Sequence, residues 1–290
     1  MAIAPAAGAG GRLAQAIADS LAASIVQACR PAIATAVAAA LEPEPPIPGG
    51  PSSPSRTGHR AMRVLEVQRP SPLLVLLRLE TLDGPYAFTA GQFCMVFGET
   101  AGGPEHRPYS IASSPADPFR IDLAVKNVNE VGESGWLYHR QPGDRVEVGP
   151  AKGTFTFRTP PGRTAVFLAT GTGVAPFRSM LLDQWEHGQE PDVWLFLGAP
   201  TPEALPYHAE LAQWAAAHPG FHYVPVVSRA APGAWDGERG HIQGPFLARF
   251  AGRADFDAYL CGVPTMVEDA LRLLRAQGLP PTRIHQERFV

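Results

Sequence analysis

The sequence predicts a small antiparallel β-barrel followed by an α/β domain with a parallel sheet, both preceded by an Ala- and Pro-rich extension. Three observations carry that prediction. Between residues 61 and 148, short apolar or alternating runs are punctuated by Gly84-Pro85, Ala90-Gly91, Pro142-Gly143 and Gly149-Pro150, the rhythm of many short strands. After Pro160-Pro161-Gly162 the rhythm changes to strand–helix alternation, which implies parallel strands with helices on both faces. Before His59 the composition differs from both. The 290 residues have room for two domains and an extension. We place the boundaries at 1–58, 59–161 and 162–290.

Composition excludes several function classes. The net charge is −3 and no basic run stands out, which argues against a nucleic-acid surface. Cys29, Cys94 and Cys261 are far apart and odd in number, and no Cys-x-x-Cys or Cys/His cluster occurs. Neither a disulfide framework nor a zinc site is indicated, and a reduced, cytoplasmic protein is the expectation. No stretch approaches the roughly 20 apolar residues of a membrane span. The N-terminus lacks the charged and apolar regions of a secretory signal.

Each element has its own warrant. In residues 1–41, Leu13, Ile17, Leu21 and Ile25 recur every four positions, as do Ile33, Val37 and Leu41, with Pro31 between the runs. Two short amphipathic helices, and with them a docking segment for a partner, stand beside a loosely ordered tail as readings of this stretch. Residues 42–58 are a Pro/Gly/Ser linker. Strands are predicted at Met62–Val67, Pro72–Glu80, Gln92–Phe97, Phe119–Lys126 and Arg145–Val148, with a short helix near Gly135–Arg140. In the second half, strands at Thr164–Ala169, Val193–Leu197, Tyr223–Val227, Tyr259–Cys261 and Arg283–Phe289 alternate with helices. Those helices are expected from about Ala175, at Pro206–Ala217, at Gly244–Phe250 and at Thr265–Gln277. Gly171–Pro176, Gly198, Ser228 and Cys261–Pro264 then all fall at carboxyl ends of parallel strands, where such sheets bind ligands.

The chemistry gathers in four segments. Gly171-Thr172-Gly173-Val174-Ala175-Pro176 follows a buried strand and opens a helix. Glycines admit a close backbone approach to a pyrophosphate, and helix N-terminal N–H groups meet its charge. The spacing is neither Gly-x-Gly-x-x-Gly nor a phosphate loop with Lys-Ser/Thr, so an ordinary βα turn stays open. Arg107, Pro108, Tyr109 and Ser110 combine a phosphate clamp, a rigid turn, a flat ring for stacking on a heteroaromatic and a small hydroxyl. Gly132 and Ser134, just before the short helix, offer a second anion site. We count Lys126, at the end of its strand, with these cofactor contacts. Cys261-Gly262-Val263-Pro264 closes the set, and a lone strand-end cysteine is also commonly a small buried hydrophobe.

In this order, over about residues 59–290, the segments resemble the ferredoxin–NADP⁺ reductase superfamily. Arg107, Tyr109 and Ser110 match its Arg-x-Tyr-Ser flavin motif, and Gly132, Ser134 and Leu137 resemble its second flavin motif. Gly171, Thr172, Gly173, Val174 and Pro176 resemble its nicotinamide-nucleotide motif. Cys261, Gly262 and Pro264 resemble its Cys-Gly segment, where the thiol lies near the nicotinamide. The resemblance implies a Greek-key flavin barrel and a nucleotide-binding α/β domain. It implies FAD and NAD(P)H as cofactors, with hydride passing to the flavin and electrons passing singly to an iron–sulfur or haem acceptor. It implies Ser110, Cys261 and Glu287 as the catalytic residues. Glu287-Arg288-Phe289 resembles the terminal Glu-x-Tyr of plant-type members, but with Phe in place of Tyr and Val290 after it, so Phe289 is either a flavin-stacking ring or a core residue. Ser228-Arg229 stands where NADP-specific relatives hold the 2′-phosphate, and Arg239 offers a second cation. Trp235-x-Gly237 with Gly240 resembles NADH-linked oxygenase reductases instead, so the coenzyme stays open.

No Cys-x₄-Cys-x₂-Cys run is present, so the expected acceptor is a separate ferredoxin or oxygenase component. Two alternatives remain. One is an electron-transfer flavoprotein subunit of a hydrogenase- or dihydroorotate-dehydrogenase-like complex. The other is a non-catalytic binding module that keeps the fold.

Overall fold

A computed structural model describes residues 58–100, 102–128 and 132–288. The predicted N-terminal helices, most of the linker and the Phe289 ring lie outside the described residues.

The first sheet has six antiparallel strands in the order β4-β3-β6-β1-β2-β5. They are β1 (Arg60–Ser71), β2 (Leu74–Thr81), β3 (Phe93–Thr100), β4 (Gly103–Ser110), β5 (Arg120–Lys126) and β6 (Arg145–Val148). β2 shows why it is a strand: its buried and half-buried positions alternate, and Val75, Leu77 and Leu79 point inward with Met62, Val64 and Leu123. β4 is the strand that alternation does not announce. Its sequence GPEHRPYS holds two prolines, which donate no ladder hydrogen bond and are tolerated because β4 is an edge strand. The two edges approach where Ile111 bridges Leu123 and the Ala112 N–H donates to the Asp122 carbonyl at 2.8 Å. Closure is limited to that corner, so the expected barrel is a curled half-barrel. α1 (Glu133–Tyr138) packs on it, starting slightly before its predicted span.

The second sheet has six parallel strands in the order β10-β9-β8-β7-β11-β12. They are β7 (Thr164–Thr170), β8 (Val193–Ala199), β9 (Phe221–Val227), β10 (Glu238–Arg239), β11 (Phe256–Gly262) and β12 (Ile284–Arg288). The helices are α2 (Ala175–Glu186), α3 (His208–Ala217), α4 (Gln243–Phe250) and α5 (Pro264–Ala276). A period of two divides the core between the faces. Ala165, Phe167 and Ala169 join one cluster with Phe177 and Leu211, whereas Val166 and Leu168 join another with Phe246 and Leu274. Such two-sided burial explains the unbroken apolar runs in β7 and β11. The chain leaves β7 for β8 on one side, and β11 joins β7 on the other. The strand order therefore reverses between the carboxyl ends of β7 and β11, which is where open α/β sheets place their ligands. Among the described residues, no helix is long and apolar enough to cross a membrane.

Candidate functional site

A single cavity of about 1220 Å³ runs from the open end of the half-barrel across the carboxyl ends of the parallel strands. The first sheet contributes the β1–β2 turn at Ser71 and Leu73, the end of β4, and Lys126 and Val128. The second contributes the strand ends of β7, β8 and β9, the Gly240–Gln243 segment and the start of α5. Pockets that hold one drug-sized ligand run to roughly 1,000 Å³. This one therefore has room for more than one such ligand.

Arg107, Pro108, Tyr109 and Ser110 all line the cavity, at the exposed edge of the first sheet. The Tyr109 hydroxyl turns away from it and donates to Glu133 Oε2 at 2.5 Å. Burial, then the neighbouring Glu133 carboxylate, holds that phenol well above its ordinary range. Ser110 is 5 % exposed and donates to Glu287 Oε1 at 3.0 Å. Strand β12 thus reaches from the other sheet to the end of β4. Burial raises the Glu287 carboxyl, and the Ser110 bond partly offsets it. Ser134 lines the cavity, whereas Gly132 lies just behind it as the residue preceding α1.

At the switch point, Gly171 and Thr172 line the cavity while Gly173, Val174 and Pro176 do not. The two glycines have different jobs. A Cβ on Gly171 would point into open space, and its φ of +53° favours glycine. A Cβ on Gly173 would lie 2.3 Å from the Cys261 carbonyl oxygen, so this glycine seats the turn against β11. Gly262 does the same from the other side, since its Cβ would lie 2.2 Å from Thr170 Oγ1. That Oγ1 accepts from the Val263 N–H at 3.1 Å, locking the two strand ends together. Pro264, in the first turn of α5, lines the cavity. Cys261 does not. It is fully buried in the core, and burial first, then the Glu287 charge, pushes its thiol up. Val263 and Pro264 stand at the wall here, because β11 turns Cys261 inward beside Tyr259.

Charge is distributed unevenly. Arg107, Lys126 and Arg229 line the cavity, and their side chains make no hydrogen bond or ion pair among the described residues. Arg239 is committed instead, donating to the carbonyls of Trp235, at 2.5 Å, and Ala230. Ser228 also lines the cavity. Gln243, a lining residue that motif reading does not mark, has a buried Oε1 without a partner among the described residues. Three free cations on one concave surface suit anionic ligands, and the clear floor at Gly171 leaves space for one to approach the backbone.

Sequence reasoning also misses Glu133 and Arg178. The signal for each was a single charge inside an otherwise small or apolar segment, GESGWL and APFRSML. Arg178 is 6 % exposed on α2. It donates to the Ala112 carbonyl at 2.7 Å, to Asp122 at 3.1 Å and to Glu210 at 2.7 and 2.8 Å.

Residues 167–272 match the family model of the oxidoreductase NAD-binding domain. The chain is 34% identical over 235 residues to ferredoxin–NADP reductase B of Sorangium cellulosum, across 78% of this chain and 96% of that protein. The chain belongs to the ferredoxin–NADP reductase superfamily. It is therefore a flavin-dependent NAD(P)H oxidoreductase in class. It is also 33% identical over 232 residues to the phenol hydroxylase P5 protein of Acinetobacter pittii, covering 78% of this chain but 64% of that longer relative. The solved ferredoxin reductase in carbazole 1,9a-dioxygenase superposes with a TM-score of 0.68 at 26% identity, over 83% of this chain and 71% of that one. These likenesses are to reductases and reductase components of oxygenases, which does not favour the complex-subunit or binding-module alternatives.

Proposed function

We propose that this chain takes hydride from NAD(P)H with FAD held on the half-barrel side of the cavity, and delivers electrons to a separate ferredoxin or other iron–sulfur or haem protein. The observation that carries this reading is the set of three unpaired cations, Arg107, Lys126 and Arg229, spread along a cavity of about 1220 Å³. The cavity volume, the unpaired cations, the open floor at Gly171 and the orphaned Gln243 oxygen all fit two phosphate-bearing ligands.

Bound FAD would supply the conversion of a hydride into single electrons, which no side chain here can perform. The residues do the rest. Arg107 clamps the flavin pyrophosphate, and Ser134 with the backbone at Gly132 supports the same charge. Tyr109 offers its ring face, with Pro108 fixing the strand beside it. Lys126 supplies a second cation on this half. Ser110, held by Glu287 at 3.0 Å, presents a hydroxyl at the meeting point of the two halves. Glu287 keeps that hydroxyl oriented and is the carboxyl best placed to hold a proton there. Gly171, Thr172 and Pro264 border the nicotinamide nucleotide, and Gly173, Val174, Pro176, Gly262 and Cys261 set that border from beneath. Ser228 and Arg229 suit a 2′-phosphate, which favours NADPH. Residues 1–58 are the candidate docking element for the acceptor, and their deletion is expected to leave flavin reduction intact.

The test is anaerobic mixing of the purified protein with NADH or NADPH while the visible flavin band is followed. Bleaching by either nucleotide is expected. A colourless protein that takes up no added FAD overturns the reading.

A further inference from the structure

Glu133 is the strangest acid in the protein. Its residue exposure is 0%, and it stands in the first turn of α1, a short and mostly buried helix whose next residue, Ser134, lines the cavity. Strand β3 makes room for it with Gly98, where a Cβ would lie 3.2 Å from Glu133 Cγ and 2.9 Å from the Trp136 ring. One face of β4 addresses it three times, through residues two apart. Glu105 Oε2 accepts the Glu133 N–H at 3.2 Å, and the Tyr109 hydroxyl donates to Glu133 Oε2 at 2.5 Å. Between them, the Arg107 charge reaches the carboxyl. Glu133 Oε1 is buried without a partner among the described residues.

The charge balance around this carboxyl is fine. Burial, the largest influence, disfavours its ionised form, and Glu105 adds to that. Tyr109 and Arg107 favour it, and the group rests at about 7. The other titratable neighbour is the Cys94 thiol on β3, itself pushed up to about 12 mainly by burial. On β5, Asp122 is committed to Arg78 and Arg178, and Arg120 and Lys126 are exposed at the strand ends. Among the described residues, Arg107 is thus the cation that favours the ionised form of Glu133.

We propose that Glu133 couples the binding of a pyrophosphate-bearing flavin nucleotide to the uptake of a proton. The inference rests on the FAD reading above. A dianionic pyrophosphate seated on Arg107 neutralises the cation that, among the described residues, supports the Glu133 carboxylate, and adds negative charge on the same side. Both effects favour the protonated acid, which then has a hydrogen to share with the Tyr109 oxygen or to place elsewhere. Because Tyr109 both lines the cavity and holds Glu133, the coupling passes through the ring that faces the flavin.

The sign follows from linkage. The liganded state holds its proton to higher pH than the free state, so affinity is flat below the free value. It then falls as pH rises, by at most about tenfold per pH unit for one proton. FAD release on dilution of the full-length yellow protein is measured by flavin fluorescence from about pH 6 to about pH 9. The dissociation constant of the wild type is expected to rise above about pH 7. In Glu133→Gln, which keeps the shape and an acceptor for Tyr109, it is expected to stay low and flat. A wild-type profile that is flat overturns the coupling, and so does a slope that survives in Glu133→Gln. A slope that disappears in His106→Gln instead assigns the proton to the histidine beside Arg107, and also overturns it. Should Glu133→Gln fail to fold, calorimetry of FAD binding to the wild type in two buffers of different ionisation enthalpy decides. Proton uptake near pH 7.5 supports the coupling, and none overturns it. A chain that holds no FAD at any pH overturns the flavin reading itself, and its missing visible band tells the two failures apart.

Discussion

Arg107 and Arg178 both stand where the two sheets meet, and they are held in opposite ways. Arg178 is 6 % exposed, lies over the Tyr207 ring at 4.6 Å, and spends its donors on Ala112, Asp122 and Glu210. Arg78 takes the other oxygen of Asp122 at 2.9 Å. Arg107 is exposed on the cavity and has no side-chain partner among the described residues. An arginine whose partners are all protein is a strut. One that faces a concave surface without partners is a binding group awaiting an anion. The strut ties α2, which follows the Gly171–Val174 turn, to Ala112, two residues beyond Ser110. It therefore fixes how the Gly171–Val174 turn and the end of β4 face each other.

The strongest way to break this contrast is to remove the strut. Arg178→Ala leaves Asp122 with Arg78 alone and removes the cation bound to Glu210, and breaking a buried pair costs up to about 3–5 kcal/mol. Denaturant unfolding is expected to show a loss of that order. A loss under about 1 kcal/mol would mean that Arg178 carries no more than a surface ion pair.

Arg107→Ala is expected to do the reverse, with little change in unfolding and a weaker hold on FAD. Losing one charge-assisted contact of about 1.5–3 kcal/mol corresponds to about 10- to 100-fold in the dissociation constant. Full flavin retention after gel filtration would remove Arg107 from the clamp. If both arginines changed stability and left flavin binding alone, the contrast itself would collapse.

The two regions also differ in how far they could be read from the sequence. The parallel sheet was legible because burial on both faces leaves unbroken apolar runs such as Ala165–Ala169, and each strand end carries a glycine or a polar residue. Arg107, Tyr109 and Ser110 were legible because their residue types suit a ligand. β4 as a strand was not, since two prolines hide it and only its edge position permits them. Arg178 was not, because a charge in the helix APFRSMLLDQWE acquires meaning only when β5 and α3 bring Asp122 and Glu210 to it. Those partners lie 56 and 32 residues away, beyond any local pattern. The same holds for the Ser110–Glu287 pair, which is 177 residues apart. The resemblance in the terminal Glu-x-aromatic spacing marked Glu287, but not its bond to Ser110.

Glu287→Gln sharpens the comparison from the contact between β12 and the end of β4, with a smaller expected effect. The Glu287 carboxyl is raised in the folded protein, chiefly by burial, so the folded state binds its proton more tightly than the unfolded chain does. Its favourable contribution is therefore full below the ordinary carboxylate range and is lost as pH rises through the folded value. Glu287→Gln is expected to match the wild type in acid and to be more stable at neutral pH, while reducing the flavin more slowly with NAD(P)H. Unfolding at two pH values reads the first effect and stopped-flow reduction the second. A variant less stable at neutral pH would show that the Ser110 bond outweighs desolvation.

The smallest effect belongs to Arg229, which shares Arg107's free guanidinium but lies at an exposed strand end, where Ser228 is its neighbour. An exposed ion pair contributes about 0.2–1 kcal/mol, which sets the selectivity change at no more than about fivefold. Arg229→Ala is expected to raise KM for NADPH by that factor and to leave KM for NADH unchanged. The difference between the two coenzymes is the informative quantity, because both share every contact except the 2′-phosphate. Equal changes in the two KM values would place Arg229 on the shared pyrophosphate, and the preference for NADPH would then lose its support.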